Sequence, residues 1–161
     1  MESLVSTEWL AGELGASDLR VVDATMVLAS DGRNTQAEYE AGHIPGAVFM
    51  DLSEIVDASS SLPMMLPSPE KFASRMQSLG LGDGSRIVIY DNSPYKSASR
   101  AWWMLSQVFG AHGVAVLDGG LAKWTAEGRA LESGKPAIRH RHFTVWKNQK
   151  VVRDKAQMLA N

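Results

Sequence analysis

Cysteine is absent from this 161-residue chain, which removes thiolate nucleophiles, disulfides, thiolate zinc sites and iron–sulfur ligation from its chemistry. The reactive side chains that remain sit at the ends of apolar runs. Asp91 directly follows Arg86-Ile87-Val88-Ile89-Tyr90 and opens a polar stretch that continues to Ser97. A loop leading into a helix presents unpaired backbone N–H groups, a geometry that holds an anion or lowers the pKa of a thiol. A carboxylate at the first position of such a loop can accept those N–H bonds itself, so the favoured reading of Asp91 is a cap and not an anion site. Asp118-Gly119-Gly120 lacks the glycine spacing and the lysine of a phosphate-binding loop and reads as a tight turn. His43 lies just before Ile44-Pro45-Gly46, with no second His, Asp or Cys at ligand spacing. A hydrogen-bonded turn residue is the favoured reading there, ahead of a metal ligand or a base. Trp102 and Trp103 read as core ahead of a stacking platform. No metal and no cofactor is expected from this inventory.

The elements that position these residues alternate between strand and helix. Val5 ends a short apolar start, Ser6 or Thr7 can cap a helix through Trp9, Leu10 and Leu14, and Gly15 can stop it. Leu19 to Ala24 reads as a strand, a turn follows at Asp31-Gly32, Gln36 to Ala41 makes a short helix ended by Gly42, and Gly46 to Met50 is a second strand. The segment from Asp57 to Pro67, with Ser59, Ser60, Ser61, Pro63 and Pro67, is a loop. Ser68-Pro69-Glu70 supplies an N-cap, a first-turn proline and an early carboxylate, while Phe72, Met76 and Leu79 at i, i+4 and i+7 face a core and Gly80 ends the helix. Beyond it come strand Arg86 to Tyr90, a Trp-rich helix to Phe109, strand Val114 to Leu117 and helix Leu121 to Glu127. Near-continuous Val/Ile strands alternating with helices predict an α/β fold with a parallel sheet covered on both faces. Ligands in such sheets bind in the loops at the carboxyl ends of the strands, which points to Asp91–Ser97 and Asp118-Gly119-Gly120.

Length and composition agree with one domain and a stub. Compact domains most often run to roughly 100–150 residues, and 45% hydrophobic with 21% charged residues is an ordinary globular balance. The longest apolar run is Ala101 to Leu105, far short of the roughly 20 residues of a membrane span. Met1-Glu2-Ser3-Leu4 does not resemble a secretory leader, so the expectation is a cytoplasmic chain with no membrane partner. Charge is unevenly divided: residues 1–134 hold 9 Lys/Arg and 17 Asp/Glu, whereas residues 135–161 hold 7 and 1. That shift places a composition boundary near Lys135. The basic residues are scattered among Phe143, Val145, Trp146 and Val151, and a solvated linker is favoured over phosphate binding, with no nucleic-acid partner expected.

Several dispersed motifs carry a resemblance. Val22-Asp23-Ala24, Glu38-Tyr39-Glu40-Ala41-Gly42-His43-Ile44-Pro45-Gly46-Ala47, Ile89-Tyr90-Asp91, Ser97-Ala98-Ser99-Arg100-Ala101-Trp102-Trp103-Met104 and Leu117-Asp118-Gly119-Gly120-Leu121-Ala122-Lys123-Trp124 together resemble a rhodanese domain. More narrowly, they are similar to the N-terminal domain of the tandem sulfurtransferases that act on thiosulfate or 3-mercaptopyruvate. The resemblance runs from about Leu4 to Phe143 and implies a five-stranded parallel sheet with helices on both faces. It also implies that the nucleophilic Cys of an active domain would stand at the position of Asp91, as in the family's amino-terminal halves, where a non-catalytic residue is found. Sulfur transfer needs a soft thiolate able to take and release a sulfane sulfur, and a carboxylate offers no equivalent.

The same resemblance divides the chain into a Cys-less domain over 1–134 and, over 135–161, a basic linker with the start of a second rhodanese domain. Val152-Arg153-Asp154-Lys155-Ala156-Gln157-Met158-Leu159 echoes Val5-Ser6-Thr7-Glu8-Trp9-Leu10. A partner domain with the Cys loop would then close a cleft holding a small sulfur donor. Mercaptopyruvate-type members resemble one another in an Asp after the second strand and a His before Met-Leu-Pro, both facing that cleft. The matching positions here are Ser53 and Met64, neither of which can act as a charged or proton-transferring group. Two function classes follow: the non-catalytic half of a two-domain sulfurtransferase, which predicts an exposed apolar face, or a stand-alone Cys-less interaction module, which predicts none. A small-molecule-binding domain using the Asp118 turn ranks third.

Overall fold

A computed structural model describes residues 1–139 and 141–160 of the chain. Five strands, β1 (Leu4–Val5), β2 (Leu19–Asp23), β3 (Val48–Phe49), β4 (Arg86–Tyr90) and β5 (Val114–Leu117), form one sheet in the order β1-β5-β4-β2-β3. Every pairing is parallel, and the longest ladder joins β2 to β4 from Leu19 opposite Arg86 to Asp23 opposite Tyr90. The helices are α1 (Thr7–Glu13), α2 (Thr35–Ala41), α3 (Pro69–Ser78), α4 (Ser97–Trp102), α5 (Gly120–Ala126) and α6 (Lys155–Ala160). None of the helices of the described residues is long and apolar enough to cross a membrane.

The period-2 alternation of strand side chains sorts the core into two layers. Val22, Ile87, Ile89 and Val114 face α3 and α4, where they meet Phe72, Met76, Ala101 and Leu105. Val21, Val88, Tyr90, Ala115 and Leu117 face the other way, onto Leu10 of α1, Tyr39 of α2 and Trp124 of α5. Helices therefore cover both faces, as the uninterrupted apolar strands predict. Local sequence sets the helix ends. Ser6 Oγ accepts the Trp9 N–H at 3.0 Å, Asn34 Oδ1 accepts that of Ala37 at 3.0 Å, and Ser68 Oγ accepts that of Lys71 at 3.1 Å. Gly80, after α3, takes φ +75°, the left-handed conformation that closes a helix without a Cβ penalty.

Several elements depart from expectation. The short apolar start is the edge strand β1, and the second strand is shorter than Gly46 to Met50, because Gly46 is turned into left-handed geometry at φ +81°. The Trp-rich helix is not uniform. After α4 it widens into a π-helical stretch, Trp103–Val108, whose end is closed by Phe109 N–H donating to Met104 O at 2.9 Å. The expectation of a solvated linker from residue 135 is corrected by contacts well beyond Gly134. Phe143 is only 4% exposed, stacked at 5.8 Å on Phe72, with Val145, Val151 and Val152 packed beside it. Non-local contacts made this segment part of the fold, and charge composition is blind to them.

Phe72 joins the two ends of this core, its ring 4.1 Å from Phe109 and 5.8 Å from Phe143. Phe72→Ala is expected to lower stability by about 3–5 kcal/mol, read as a fall in the urea midpoint at unchanged m-value.

Candidate functional site

The carboxyl ends of β2 and β4 point into two loops that are laced together by short polar side chains. Asp23 ends β2, buried, and its Oδ1 accepts both the N–H (2.9 Å) and the Oγ1–H (2.5 Å) of Thr25. Thr25 Oγ1 in turn accepts the Asn92 N–H at 2.9 Å, from the loop after β4. Ser93 Oγ donates to Met26 O at 2.6 Å, and Ser97 Oγ donates to Ala24 O at 2.8 Å while accepting the Met26 N–H at 2.9 Å. Arg33 completes the join with a bidentate pair to Glu38 (2.7 and 3.0 Å) and a bond to Asn92 O at 2.9 Å. The network is closed on itself, which holds the two loops as one rigid surface.

Asp91 stands at the centre of that surface. Its Oδ2 accepts the Ala98 N–H at 2.8 Å and its Oδ1 the Ser93 N–H at 3.3 Å. The residue before α4, Lys96, adopts φ +54° and offers no side-chain cap, so the Asp91 carboxylate, seven residues before Ala98, caps the helix in its place. Asp91 O accepts the Leu121 N–H at 3.0 Å, and a Cβ on Gly120 would lie 2.6 Å from that oxygen. Gly119 and Gly120, both at positive φ, let the start of α5 close on β4, the tight-turn role read from Asp118-Gly119-Gly120. Two shallow cavities flank Asp91. One of about 220 Å³ is lined by Asp91, Lys96, Ser99, Asp118 and Gly120; one of about 440 Å³ by Asp23, Arg33, Glu38, Tyr39 and Asn92.

The remaining candidates are placed as follows. Ser53 is exposed in a 3₁₀ turn after β3, its N–H and Oγ–H both donating to Asp51 Oδ1 at 3.0 and 2.5 Å. Met64 adopts φ +59°, and its carbonyl accepts Arg100 Nη2 at 2.6 Å, which ties the 57–67 loop to α4. Among the described residues no hydrogen bond joins Ser53 or Met64 to Asp91. His43 is buried, stacked at 4.5 Å on Tyr39, with Nδ1 2.9 Å from Ile44 O and Nε2 2.8 Å from Gly134 O. Both ring nitrogens face carbonyl oxygens, so neither is offered to a metal or a serine. Trp102 and Trp103 are half-buried against the core, and Trp102 Nε1 donates to Val114 O at 3.1 Å. Among the described residues no group of three or more metal-ligating side chains is assembled. The lacing by Thr25, Asn92, Ser93 and Ser97, and the Arg100 tie, were not read from sequence, where isolated Ser, Thr and Arg carry no positional signal.

The model of the rhodanese-like domain family matches residues 6–127. This chain belongs to that family. Rhodanese-like relatives include thiosulfate/3-mercaptopyruvate sulfurtransferase 2 of Arabidopsis thaliana, 46% identical over 132 residues, which are 82% of this chain and 38% of the relative. The 3-mercaptopyruvate sulfurtransferase of Escherichia coli K12 is 40% identical over 149 residues, 92% of this chain and 53% of the relative. The crystal structure of the 3-mercaptopyruvate sulfotransferase SseA from Escherichia coli matches with a TM-score of 0.92 at 38% identity, covering 99% of this chain and 61% of that one. The chain spans between 35% and 55% of the length of the curated relatives it matches. The homology is to the N-terminal domains of thiosulfate/3-mercaptopyruvate sulfurtransferases.

Two measurements probe this rhodanese-like surface. Asp91→Ala leaves the Ala98 N–H unpaired and is expected to cost about 1–2 kcal/mol of stability, whereas Asp91→Asn keeps an acceptor oxygen and costs less, as denaturant titration will read. Burial pushes the Asp23 carboxyl above its ordinary value of 3.8, with the nearby Asp91 charge adding to the rise and the Thr25 bonds opposing it. A raised folded pKa gives stability that is complete below the unfolded value and is lost as pH rises through the folded one. Asp23→Asn is therefore expected to gain on the wild type as pH rises from 4 to 7 in paired unfolding curves; a difference that is flat with pH contradicts this account.

Proposed function

We propose that this rhodanese-like domain is the non-catalytic N-terminal half of a two-domain sulfurtransferase, one wall of a cleft whose other wall carries the Cys loop. The observation that carries the reading is a set of exposed apolar side chains on the loops at the end of the sheet where Asp91 lies. Leu28 is 55% exposed, Leu62 59%, Met65 40% and Tyr95 48%, and they stand on the loops that follow β2, β3 and β4. Those loops are fixed to one another: Tyr95 Oη donates to Asp31 Oδ2 at 3.0 Å, the same oxygen accepts the Leu28 N–H at 2.9 Å, and Arg100 holds Met64 O. Rigid, exposed apolar side chains at the ligand-binding end of a parallel sheet suit a covered interface better than open solvent.

The chemistry in this reading belongs to the partner. A Cys thiolate there attacks the outer sulfur of thiosulfate, the S–S bond breaks with sulfite leaving, and a Cys persulfide remains; with 3-mercaptopyruvate the bond broken is C–S and pyruvate leaves after protonation. Cyanide then attacks the terminal sulfur, giving thiocyanate and returning the thiolate. This domain contributes no nucleophile: Asp91 is occupied as a cap, and Ser93 and Ser97 have their hydroxyls committed to Met26 O and Ala24 O. Ser53 and Met64 present neither carboxylate nor imidazole, so donor choice in this reading rests on the second domain.

Cyanide-dependent thiocyanate formation from each donor tests the proposal, comparing this chain with a longer polypeptide read from the same frame. The expected result is silence from the 161 residues and turnover from the longer chain, with the preferred donor naming the substrate. Thiocyanate from the 161 residues overturns the account of Asp91. Silence in both favours a stand-alone rhodanese-like interaction module.

A further inference from the structure

β3 is an outer strand of the sheet, with β2 on one side and no strand on the other. Its pairing sets Asp23 opposite Phe49, and Met50 N–H donates to Asp23 O at 2.8 Å. Backbone groups of successive strand residues face opposite sides, so the N–H and C=O of Phe49 point away from β2 into the open edge. The neighbouring residues of the same parity are already satisfied. Ala47 N–H donates to Ile44 O at 2.9 Å and Ala47 O accepts the Tyr39 hydroxyl, while Asp51 O accepts the Glu54 N–H at 3.1 Å. Among the described residues no hydrogen bond reaches the Phe49 pair. One donor and one acceptor, side by side, are left for an extended partner.

Beside that pair lies a cavity of about 350 Å³ between α2, β3, the end of α3 and residues 135–138, with Tyr39, Phe49, Ile55, Leu79, Pro136 and Ile138 as its apolar lining. Tyr39 and Ile55 are buried, so the floor belongs to the core, whereas Ile138 is exposed. A space of this size with an apolar lining and a few polar groups is of the kind that takes up a ligand side chain. Arg75 also lines it, and its ion pair is with Glu54, 3.9 Å away, both side chains being exposed. A pair that long and that solvated contributes little and leaves the guanidinium free to meet another carboxylate.

We propose that the open edge at Phe49 and this cavity form a docking site for a short extended peptide segment that carries a large apolar side chain and, two residues on, a carboxylate. A peptide residue placed opposite Phe49 exchanges both backbone bonds with it, and its side chain lies on the same face as the phenyl ring, over the cavity. The side chain two positions along shares that face, where Arg75 supplies the opposite charge. The free edge is one residue long, so backbone pairing alone holds no partner and selection falls to the side chain that fills the cavity. The floor is recessed between α2, α3 and residues 135–138, a gap that a slender segment enters and a second folded sheet does not. The site stands apart from the sulfurtransferase reading and is tested on the 161-residue chain.

The probe is the blocked pentapeptide acetyl-VTLTE-amide, whose valine, leucine and glutamate share one face, titrated into the nitrogen-15-labelled chain. Saturable NMR shifts are expected at the Phe49, Leu79 and Ile138 amides, with a dissociation constant of about 0.1–1 mM and slowed hydrogen exchange at Phe49 in the complex. N-methylation of the peptide leucine removes one backbone bond and should weaken binding about 3- to 10-fold. Arg75→Gln, a change at an exposed position that leaves the core intact, should weaken this peptide by a similar factor and leave acetyl-VTLTQ-amide unaffected. Unmoved Phe49 shifts at saturating peptide overturn the proposal, as does equal affinity for the N-methylated peptide; equal loss for both peptides in the Arg75 variant overturns the carboxylate requirement. A Phe49 amide that shifts with protein concentration in the absence of peptide places a second copy at the edge and overturns the choice of occupant.

Discussion

Both faces of the sheet are covered by helices, so the polar groups of its central strands can be satisfied only along the ladder or at the strand ends. That constraint pushes every buried polar side chain of β2 and β4 to their carboxyl ends, where Asp23 and the loops after it must find partners within the protein. The solution is a set of two-residue bridges: Thr25 to Asn92, Ser93 to Met26, Ser97 to Ala24. Each hydroxyl both donates and accepts, or accepts from one loop what it passes to the other. A surface made this way does not adapt to a ligand by moving one loop, because displacing either strands the donors of both.

Against that rigid background the identity of residue 91 decides what the end of β4 does. A thiolate there would have to leave neighbouring N–H groups free for the charge that sulfur carries through a persulfide. The Asp91 carboxylate reaches Ala98 N–H directly and binds it for folding instead. Lys96 can then hold φ +54°, a conformation costly for a side chain with a Cβ, because the cap it would otherwise owe to α4 is supplied from the start of the loop. Cap and strained residue are two parts of one arrangement.

How much of this was legible depended on whether the deciding contact is local. β4 and β5 matched their predicted bounds residue for residue, since four- and five-residue runs of β-branched and apolar residues admit few alternatives, and α3 was announced by Ser68-Pro69-Glu70. The parallel sheet and the position of Asp91 at a strand end followed from that pattern. The π-helical stretch did not, because apolar spacing at Ala101, Met104, Leu105 and Val108 is the same for an ordinary helix. Nor did the loop lacing, or the docking of the tail, whose anchors Asp83 and Thr144 lie 61 residues apart. Charge composition pointed the wrong way there, since it reports side chains and says nothing of where the backbone lies.

The two unread features meet in one helix. Its N-terminal turn is held by Asp91 and, through Arg100, by Met64 O; its C-terminal carbonyls at Val108 and Phe109 are held by the tail. The half-buried Arg100 guanidinium, whose pKa burial lowers, gives up solvation to make its bond to Met64 O. A helix held at one end by Asp91 and Met64 O and at the other by the tail cannot shift along its axis without breaking both sets of bonds. The loops that carry Met64 and Asp91 and the tail are thus referred to one helix, although they lie at opposite ends of the sheet.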